Sequence, residues 1–418
     1  MLSDVLIPGR AIGPSRRRRG APNEGTTRVT QPLLFTPIQL RDITLKNRVV
    51  VAPMHQYAAE KGFATDWHLV NAGRYAAGGA GLVFMESTKV DRRGCGTIGD
   101  LGLWRDEHVP GLARCVEFIR AHGAVPGLQL GHSGRKARRF RPWQGGAPLT
   151  KEAALAEGVD DWDAWELVAP SALGSSDKEP TPRALTTAEI PDLVDKWAQA
   201  ARRANEAGYD VLEIHAAHGY LLHQFLSPTA NVRNDEYGGS ELNRMRLAVE
   251  ITEAVRAVWP AHKPLFMRLS VEDDAGWGPD QSVELAKLVG PKGVDVIDCS
   301  SGGMRGSPVV GTGPVGYGYQ VPYSDRLKRD GGVMTMAVGL IVHADQAEQI
   351  LQEGKADLIA LARELMYNPN WPMDAARKLG VDTAFETMPD SQSYWLSKRA
   401  SSVKEMEPST YRRGIAAE

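Results

Sequence analysis

The stretch "YDVLEIHAAHGYLLHQF" (residues 209–225) joins a buried strand pattern to a cluster of polar side chains. Its first part is a continuous apolar run without alternation, which is typical of a strand covered on both faces. The run ends in His215, His218 and Tyr220. Residues three apart on a strand face opposite ways, so the two imidazoles can converge only if the chain turns between them, and Gly219 permits that turn.

The same unit recurs along the chain. Apolar runs, each followed by a turn and a segment with helical spacing, occupy residues 48–54, 80–88, 125–130, 209–217, 264–270, 294–301, 333–341 and 356–363. One helix is marked by a possible capping box of Thr186 and Glu189 and by an apolar stripe from Leu193 to Ala204. Eight alternating units predict an α/β fold, a closed (β/α)8 TIM barrel. An open doubly wound sheet is the alternative, but "APMHQY" lacks its G-x-G-x-x-G turn.

Composition limits the functional classes. The 418 residues include 49 basic and 51 acidic side chains, so no excess of positive charge favours binding to nucleic acid. No apolar run reaches the roughly 18 to 20 residues of a membrane span. The three cysteines are far apart and form no CxxC pair, which favours a reducing, cytoplasmic location and argues against an iron-sulfur cluster or zinc knuckle.

Both ends of the chain differ from its middle. Residues 1–31 lack the apolar core of a secretory signal and are expected to form a flexible arm, whose run from Arg16 to Arg19 is best interpreted as solvated. Residues 32–380 hold the barrel. In the tail, residues 381–418, the periodicity disappears, although Tyr394, Trp395 and Leu396 form an apolar knot that should dock on something. Such tails often reach a neighbouring subunit, so we expect a homodimer or homotetramer.

TIM barrels carry their chemistry at the C-terminal ends of the strands. The polar or unusual residues at these ends are Pro53, Met54, His55, Tyr57, Glu86, Ser87, Thr88, Gln129, His132, Arg135, His215, His218, Tyr220, Arg268, Asp298, Ser300, Gly339 and Arg363. Gly339 and Arg363 follow strands seven and eight, whose loops commonly bind phosphate. The sequence therefore predicts a phosphorylated cofactor or substrate.

Three roles are open to the histidine pair. The imidazoles could ligate a metal, donate hydrogen bonds to a developing oxyanion, or satisfy each other in the core. A metal needs a third ligand, and Glu213 lies deeper in the barrel, so no metal is predicted. Donation to an oxyanion is favoured, with Tyr220 as a proton donor.

Several segments resemble one family over residues 32 to about 375. They are "PLLFTPIQLRDITLKNRVVVAPM", "LGLWRDEHVPGL", "LQLGHSGRKA", "HAAHGYLLHQFLSPTANVRNDEYGGSELNR", "VGLI" and "LARELMYNPNWP". They look like the Old Yellow Enzyme family of FMN-dependent ene-reductases, in its thermophilic-like bacterial branch. The resemblance implies FMN across the barrel mouth, held by Ala52, Pro53, Met54, His55, Ser87, Gln129, Arg268, Gly339, Ala362 and Arg363, the last three at the phosphate.

The resemblance also implies a two-step reaction. NAD(P)H would reduce the flavin, which would then pass a hydride to an alkene conjugated to a carbonyl or nitro group, with ping-pong kinetics. His215 and His218 would bind the oxygen of this small-molecule substrate, Tyr220 would protonate its carbon, and Tyr57 would add a contact. The same fold could instead act on another substrate, by dehydrogenation or nitro reduction, or be a flavin-free barrel lyase. The chain has no barrel-strand lysine for the lyase's Schiff base.

Four features depart from the family pattern. His55 stands where the branch usually has cysteine, Ser87 replaces alanine, and Ala362 replaces glycine, which could weaken FMN binding. Arg399 lies about two positions from the expected place of an arginine that would reach a partner's site. The insert at residues 141–182 is expected to form part of a lid.

Overall fold

The structure, a computed structural model, describes residues 31–176, 179–305 and 315–403. Nearly all of the predicted arm, residues 1–30, lies outside the described residues, as do positions 404–418 of the tail. The described residues from Pro32 onward belong to one compact unit.

Eight parallel strands close into a barrel in the order in which they occur along the chain. They are β1 Val49–Val51, β2 Leu82–Lys89, β3 Val125–Gly131, β4 Val211–Ala216, β5 Leu265–Ser270, β6 Val296–Ser300, β7 Met334–Ala337 and β8 Leu358–Leu361. Pairing of β8 with β1, in which Ala360 lies opposite Val50, closes the ring. The predicted TIM barrel is confirmed, and the open-sheet alternative is wrong because that sheet would keep two edge strands.

One long helix follows each strand. These helices are α1 Asp66–Ala77, α2 Val109–Ala121, α3 Ile190–Glu206, α4 Glu241–Val258, α5 Pro279–Val289, α6 Val321–Gly331, α7 Ala344–Gln352 and α8 Trp371–Lys378. Additional helices span Lys151–Ala156, Leu221–Leu226, Arg363–Tyr367 and Asp390–Ser402. The predicted capping box forms, since the Thr186 N–H and hydroxyl both donate to Glu189 at 2.8 Å. Within the described ranges, no helix has the length and apolar character needed to cross a bilayer.

A short hairpin that the sequence did not predict closes the floor of the barrel. Its strands are Ile38–Leu40 and Ile43–Leu45, and its Leu40 and Leu45 pack with the inward-facing side chains at the starts of the barrel strands, such as Val50 and Phe266. Three-residue strands are too short to give a periodic signal. Because this end is filled, a ligand has access from the C-terminal ends of the strands.

Strands β7 and β8 end earlier than predicted, and this shapes the site. β7 ends at Ala337 and β8 at Leu361, so Gly339 and Arg363 lie in the loops that follow. The tail differs too, because Asp390–Ser402 is helical although its sequence shows no periodicity. None of its residues is buried, and Tyr394 and Trp395 are 59% and 65% exposed. A helix without an apolar stripe leaves no pattern in the sequence.

Candidate active site

A cavity of about 530 Å³ opens at the C-terminal ends of the strands. The predicted site residues that line it are Pro53, His55, Gln129, His215, His218, Tyr220, Arg268, Gly339, Ala362 and Arg363. Residues from six of the strands or of the loops that follow them thus meet at one place, which chain order alone does not reveal.

Four predicted site residues do not line this cavity. The ring of Tyr57 stacks on that of His55, with centroids 5.3 Å apart. Ala52 and Met54 line a small neighbouring void together with Glu86. Ser87 is buried and accepts a hydrogen bond from Lys89 Nζ at 3.2 Å. Their predicted contacts with a cofactor or substrate stay predictions.

The turn after β4 brings the histidine pair together. His218 and Gly219 both have positive φ, 59° and 70°, and Nδ1 of His218 lies 3.4 Å from Nε2 of His215. A Cβ on Gly219 would lie 2.3 Å from the carbonyl oxygen of Gly303, so glycine is required there. The N–H of His218 donates to the Ser270 hydroxyl at 2.9 Å. The predicted convergence therefore occurs, and neighbouring loops hold it.

Burial sets the protonation states of the two histidines and of Tyr220. It lowers the pKa of His215 and of His218 well below the usual imidazole value, and the charges of His218 and Arg268 add to this effect. Both imidazoles are therefore neutral near pH 7, and each keeps one N–H to donate. Burial also raises the pKa of the Tyr220 hydroxyl, as does the nearby negative charge of Asp100. Tyr220 therefore keeps its proton.

Two polar pairs reach inward from the cavity. Nη1 of Arg268 lies 3.2 Å from the carboxylate of Asp298, while its Nε is buried with no hydrogen-bond partner among the described residues. The Gln129 amide donates to Glu213 at 2.7 Å, which leaves its carbonyl oxygen free to accept. Burial and the charge of Asp298 raise the pKa of Glu213 well above its usual range. The Arg268 Nε is thus a donor available to a ligand.

The loops after β7 and β8 form a more open end. Gly339 has a φ of 108°, and a Cβ there would lie 2.6 Å from the Gln320 side-chain oxygen. Arg363 is exposed, and its guanidinium makes no hydrogen bond or ion pair with the part of the chain described. A free guanidinium beside a glycine-lined loop suits a phosphate.

Other cavity residues were not predicted. Lys136 Nζ donates to the His218 carbonyl oxygen at 3.0 Å and also to that of Gly303. Burial, with the charges of Arg135 and Arg139, lowers the pKa of Lys136 to about 8. Tyr319 and Gln320 also line the cavity. The feature of the sequence that could have indicated Lys136 was its position directly after the polar residues that follow β3.

The insert forms a small structure of its own. Leu149, Ala154, Val159 and Trp165 form a buried cluster with Cys95. None of the described residues between 141 and 182 lines the main cavity. The insert meets the site at Tyr57, whose carbonyl oxygen accepts from Arg141 at 3.0 Å and whose ring lies 5.4 Å from that of Trp143. Its predicted role as a lid stays a prediction.

The donor set suits a flavin mononucleotide better than a metal ion. In the described ranges, no group of three or more His, Cys, Asp or Glu side chains could hold a metal. Gln129 can present an acceptor, Arg268 has an unused donor, and Arg363, which lines the cavity with Gly339, can bind a phosphate. An amide and a cation match the donor and acceptor edge of a flavin pyrimidine ring.

Comparison with known proteins identifies the family. Residues 33–381 match the NADH:flavin oxidoreductase / NADH oxidase family. The chain belongs to this family, which includes the Old Yellow Enzymes. It is 42% identical over 355 residues to an NADPH dehydrogenase of Geobacillus sp. (strain WCH70), covering 84% of this chain and 96% of that one. The resemblance inferred from the motifs is confirmed.

Solved structures agree with the barrel. An old yellow enzyme homologue from Zymomonas mobilis matches with a TM-score of 0.67 and 27% identity, over 87% of this chain and 99% of the other. A 2-naphthoyl-CoA reductase matches with a TM-score of 0.74 and 25% identity, over 84% of this chain, which spans 53% of that longer chain. As a family member, the protein is an NAD(P)H-dependent flavin oxidoreductase with FMN as cofactor. A flavin-free lyase is therefore the wrong alternative.

Proposed function

We propose that this flavin oxidoreductase reduces the C=C bond of alkenes conjugated to a carbonyl or nitro group, with NAD(P)H as reductant. The observation that carries the proposal is the pair of neutral imidazoles, His215 and His218, lining the same cavity as the hydroxyl of Tyr220. Bound FMN supplies the hydride. The protein then has to bind the substrate oxygen and supply one proton.

The histidine pair suits an oxygen that gains negative charge. Two neutral N–H donors stabilise an enolate-like oxygen without the cost of placing two positive charges side by side. The Nε2 of His218 already lies 2.8 Å from the Ser300 hydroxyl, which shows that this nitrogen can reach a polar partner within the cavity. The substrate oxygen would take a comparable place.

Tyr220 suits the role of proton donor. Its ring lies 5.0 Å from that of His215, so substrate held by the histidines would lie within its reach. Because burial keeps the hydroxyl protonated, Tyr220 can donate to the substrate carbon at neutral pH. Tyr57, stacked on His55, is the proposed additional substrate contact.

Stopped-flow measurement of the two half-reactions tests the assignment. His215→Ala removes one donor to the oxyanion, so re-oxidation by an enone such as cyclohexenone should slow by about 10² to 10³. Reduction by NAD(P)H should change much less, because it forms no oxyanion at this place. Tyr220→Phe should show the same selectivity. His132→Asn is the control, since His132 is a buried histidine that does not line the cavity. Equal loss in both half-reactions would contradict the proposal.

The pH profile gives a second test. Both histidine pKa values are lowered and that of Tyr220 is raised, so none of the three changes protonation between about pH 5.5 and 7, where a free imidazole would titrate. Lys136, whose pKa is lowered to about 8, loses its proton only above this range. We expect the rate of re-oxidation by the enone to stay nearly constant over this range. A low-pH decrease that persists in His55→Cys would show that the histidine pair takes up a proton.

We also propose a cytoplasmic homodimer or homotetramer. The three cysteines are all unpaired, which fits a reducing compartment. The exposed Tyr394 and Trp395 on one helix are an unusual apolar surface, which is typical of a contact site. Light scattering of wild type and of Trp395→Ser would test the assembly, and a monomeric wild type would contradict it.

A further inference from the structure

The carboxylate of Glu86 lies between two imidazoles at the edge of the cavity. Its Oε1 is 3.0 Å from Nε2 of His68, and its Oε2 is 3.3 Å from Nδ1 of His55. The backbone N–H of Gln56 also donates to Oε2 at 3.0 Å. The side chains of Glu86 and His68 have no exposed surface. Three residues thus direct nitrogens at one buried carboxylate.

The tautomer of His68 follows from its other neighbour. The backbone N–H of Thr65 donates to Nδ1 of His68 at 2.9 Å. A nitrogen that accepts a hydrogen bond carries a lone pair, so the ring proton of His68 is on Nε2. His68 therefore donates to Glu86 and orients it.

The ionisation of Glu86 fixes the tautomer of His55 in turn. Burial alone would raise the pKa of Glu86, but the two imidazoles beside it lower the pKa below its usual value. An ionised carboxylate can only accept hydrogen bonds. Nδ1 of His55 lies 3.3 Å from this carboxylate without forming a hydrogen bond in the structure. A proton on Nδ1 is the arrangement in which the ring attracts the carboxylate rather than repels it, and it leaves Nε2 as the ring nitrogen for the cavity that His55 lines.

We propose that Glu86 is a positioning residue that holds His55 as its Nδ1–H tautomer and so presents the Nε2 lone pair to the cavity. The polar side chains around this edge mostly donate: the rings of Tyr57 and Tyr220 lie 5.3 and 6.4 Å from His55, and Lys136 and Arg268 line the same cavity. His55 would supply the basic nitrogen among them, which suits a bound molecule with an N–H group, such as a carboxamide. This inference rests on the proposed function only in taking the cavity as the reaction site.

Side-chain ¹⁵N NMR of the FMN-loaded protein labelled at histidine tests this proposal, with His55→Asn to assign the signals. At mildly alkaline pH, Nδ1 of His55 should show the shift of a protonated nitrogen and Nε2 that of an unprotonated one. In Glu86→Gln an amide NH₂ can face the ring, so the two shifts should exchange. A wild-type His55 with its proton on Nε2, or an unchanged spectrum in Glu86→Gln, would overturn the proposal.

Asp273→Asn is the matched control. Asp273 is a second buried carboxylate beside an imidazole among the described residues, at 3.1 Å from Nε2 of His223, and neither residue lines the cavity. Its substitution should alter the His223 signals and leave those of His55 unchanged. If it also exchanged the His55 shifts, the effect would be a general loss of structure and the proposal would fail.

A second variant covers the case in which Glu86→Gln does not fold. His68→Gln keeps the charge of Glu86 but changes the side chain that hydrogen-bonds to it. His55 should therefore keep its proton on Nδ1, with a broader, mixed signal. Full exchange of the His55 shifts in this variant would contradict the dominant role of Glu86. Because the NMR experiment contains no alkene, its result does not depend on whether the protein reduces alkenes.

Discussion

The two ends of the cavity are built differently. At the β4 end, the backbone around His218 and Gly219 bonds to Ser270, Lys136 and His223, and the ring of His218 to Ser300. At the other end, the guanidinium of Arg363 is exposed and makes no hydrogen bond or ion pair with the described residues. The protein therefore fixes the groups proposed to do chemistry, whereas the group proposed to hold the phosphate depends on the ligand for its partner.

This difference has a physical reason. Donors that stabilise a transition state are effective when no reorganisation is needed, so they have to be held before the substrate arrives. A phosphate brings its own charge and oxygen atoms, and these can order an exposed arginine as the ligand binds. Substitutions at the two ends should therefore fail in different ways: in the rate at one end and in cofactor retention at the other.

The largest expected effect is at the open end. Arg363→Ala removes the guanidinium proposed to bind the phosphate, and losing a charge-assisted, bidentate contact should weaken FMN binding by roughly 10²-fold. The variant should be purified without the yellow colour of the flavin. Because no side-chain hydrogen bond of Arg363 supports the described fold, its melting temperature without FMN should match that of cofactor-free wild type. Unchanged FMN affinity would place the phosphate elsewhere.

Features that depend on neighbouring residues were easier to predict from the sequence than contacts between distant residues. The strands were predictable because continuous apolar runs mark buried parallel strands, and the histidine pair because Gly219 follows it directly. Contacts between distant residues left no pattern: Glu86 meets His68 and His55 only after two strands pair, and Lys136 reaches the His218 carbonyl across two loops. Arg363 was predicted as a phosphate ligand from its position after β8, but its exposure was not.

A smaller effect is expected from Gly339→Ala. The φ of 108° and the 2.6 Å approach of its Cβ to Gln320 force the loop to move, and backbone strain of about 1 to 3 kcal/mol is typical of such a position. FMN affinity, measured by fluorescence titration, should fall about tenfold, since 1.4 kcal/mol corresponds to a factor of ten. Gly332→Ala is the control: its φ is 67°, no atom lies within 4 Å of its Cβ, and it does not line the cavity. Equal loss of affinity in both variants would mean that strain alone, and not the shape of the loop, weakens binding.

The smallest expected effect concerns His55, which lies between the two ends and lines the cavity with part of its ring exposed. His55 is predicted to contact the flavin, and if Nδ1 is held by Glu86, any further proton on this ring would be on Nε2. The added positive charge favours the reduced, anionic flavin over the neutral oxidised one, so the midpoint potential should rise at low pH beyond the change from the flavin's own protons. An electrostatic benefit of ~1 to 2 kcal/mol corresponds to roughly 20 to 45 mV for a two-electron couple.

Spectroelectrochemical titration of wild type and His55→Cys would measure this difference. The titration would run from about pH 5.5 to 8.5. We expect the midpoint potential of wild type to rise relative to that of His55→Cys toward acidic pH, by roughly 20 to 45 mV across this range. Parallel lines would show that His55 does not tune the flavin.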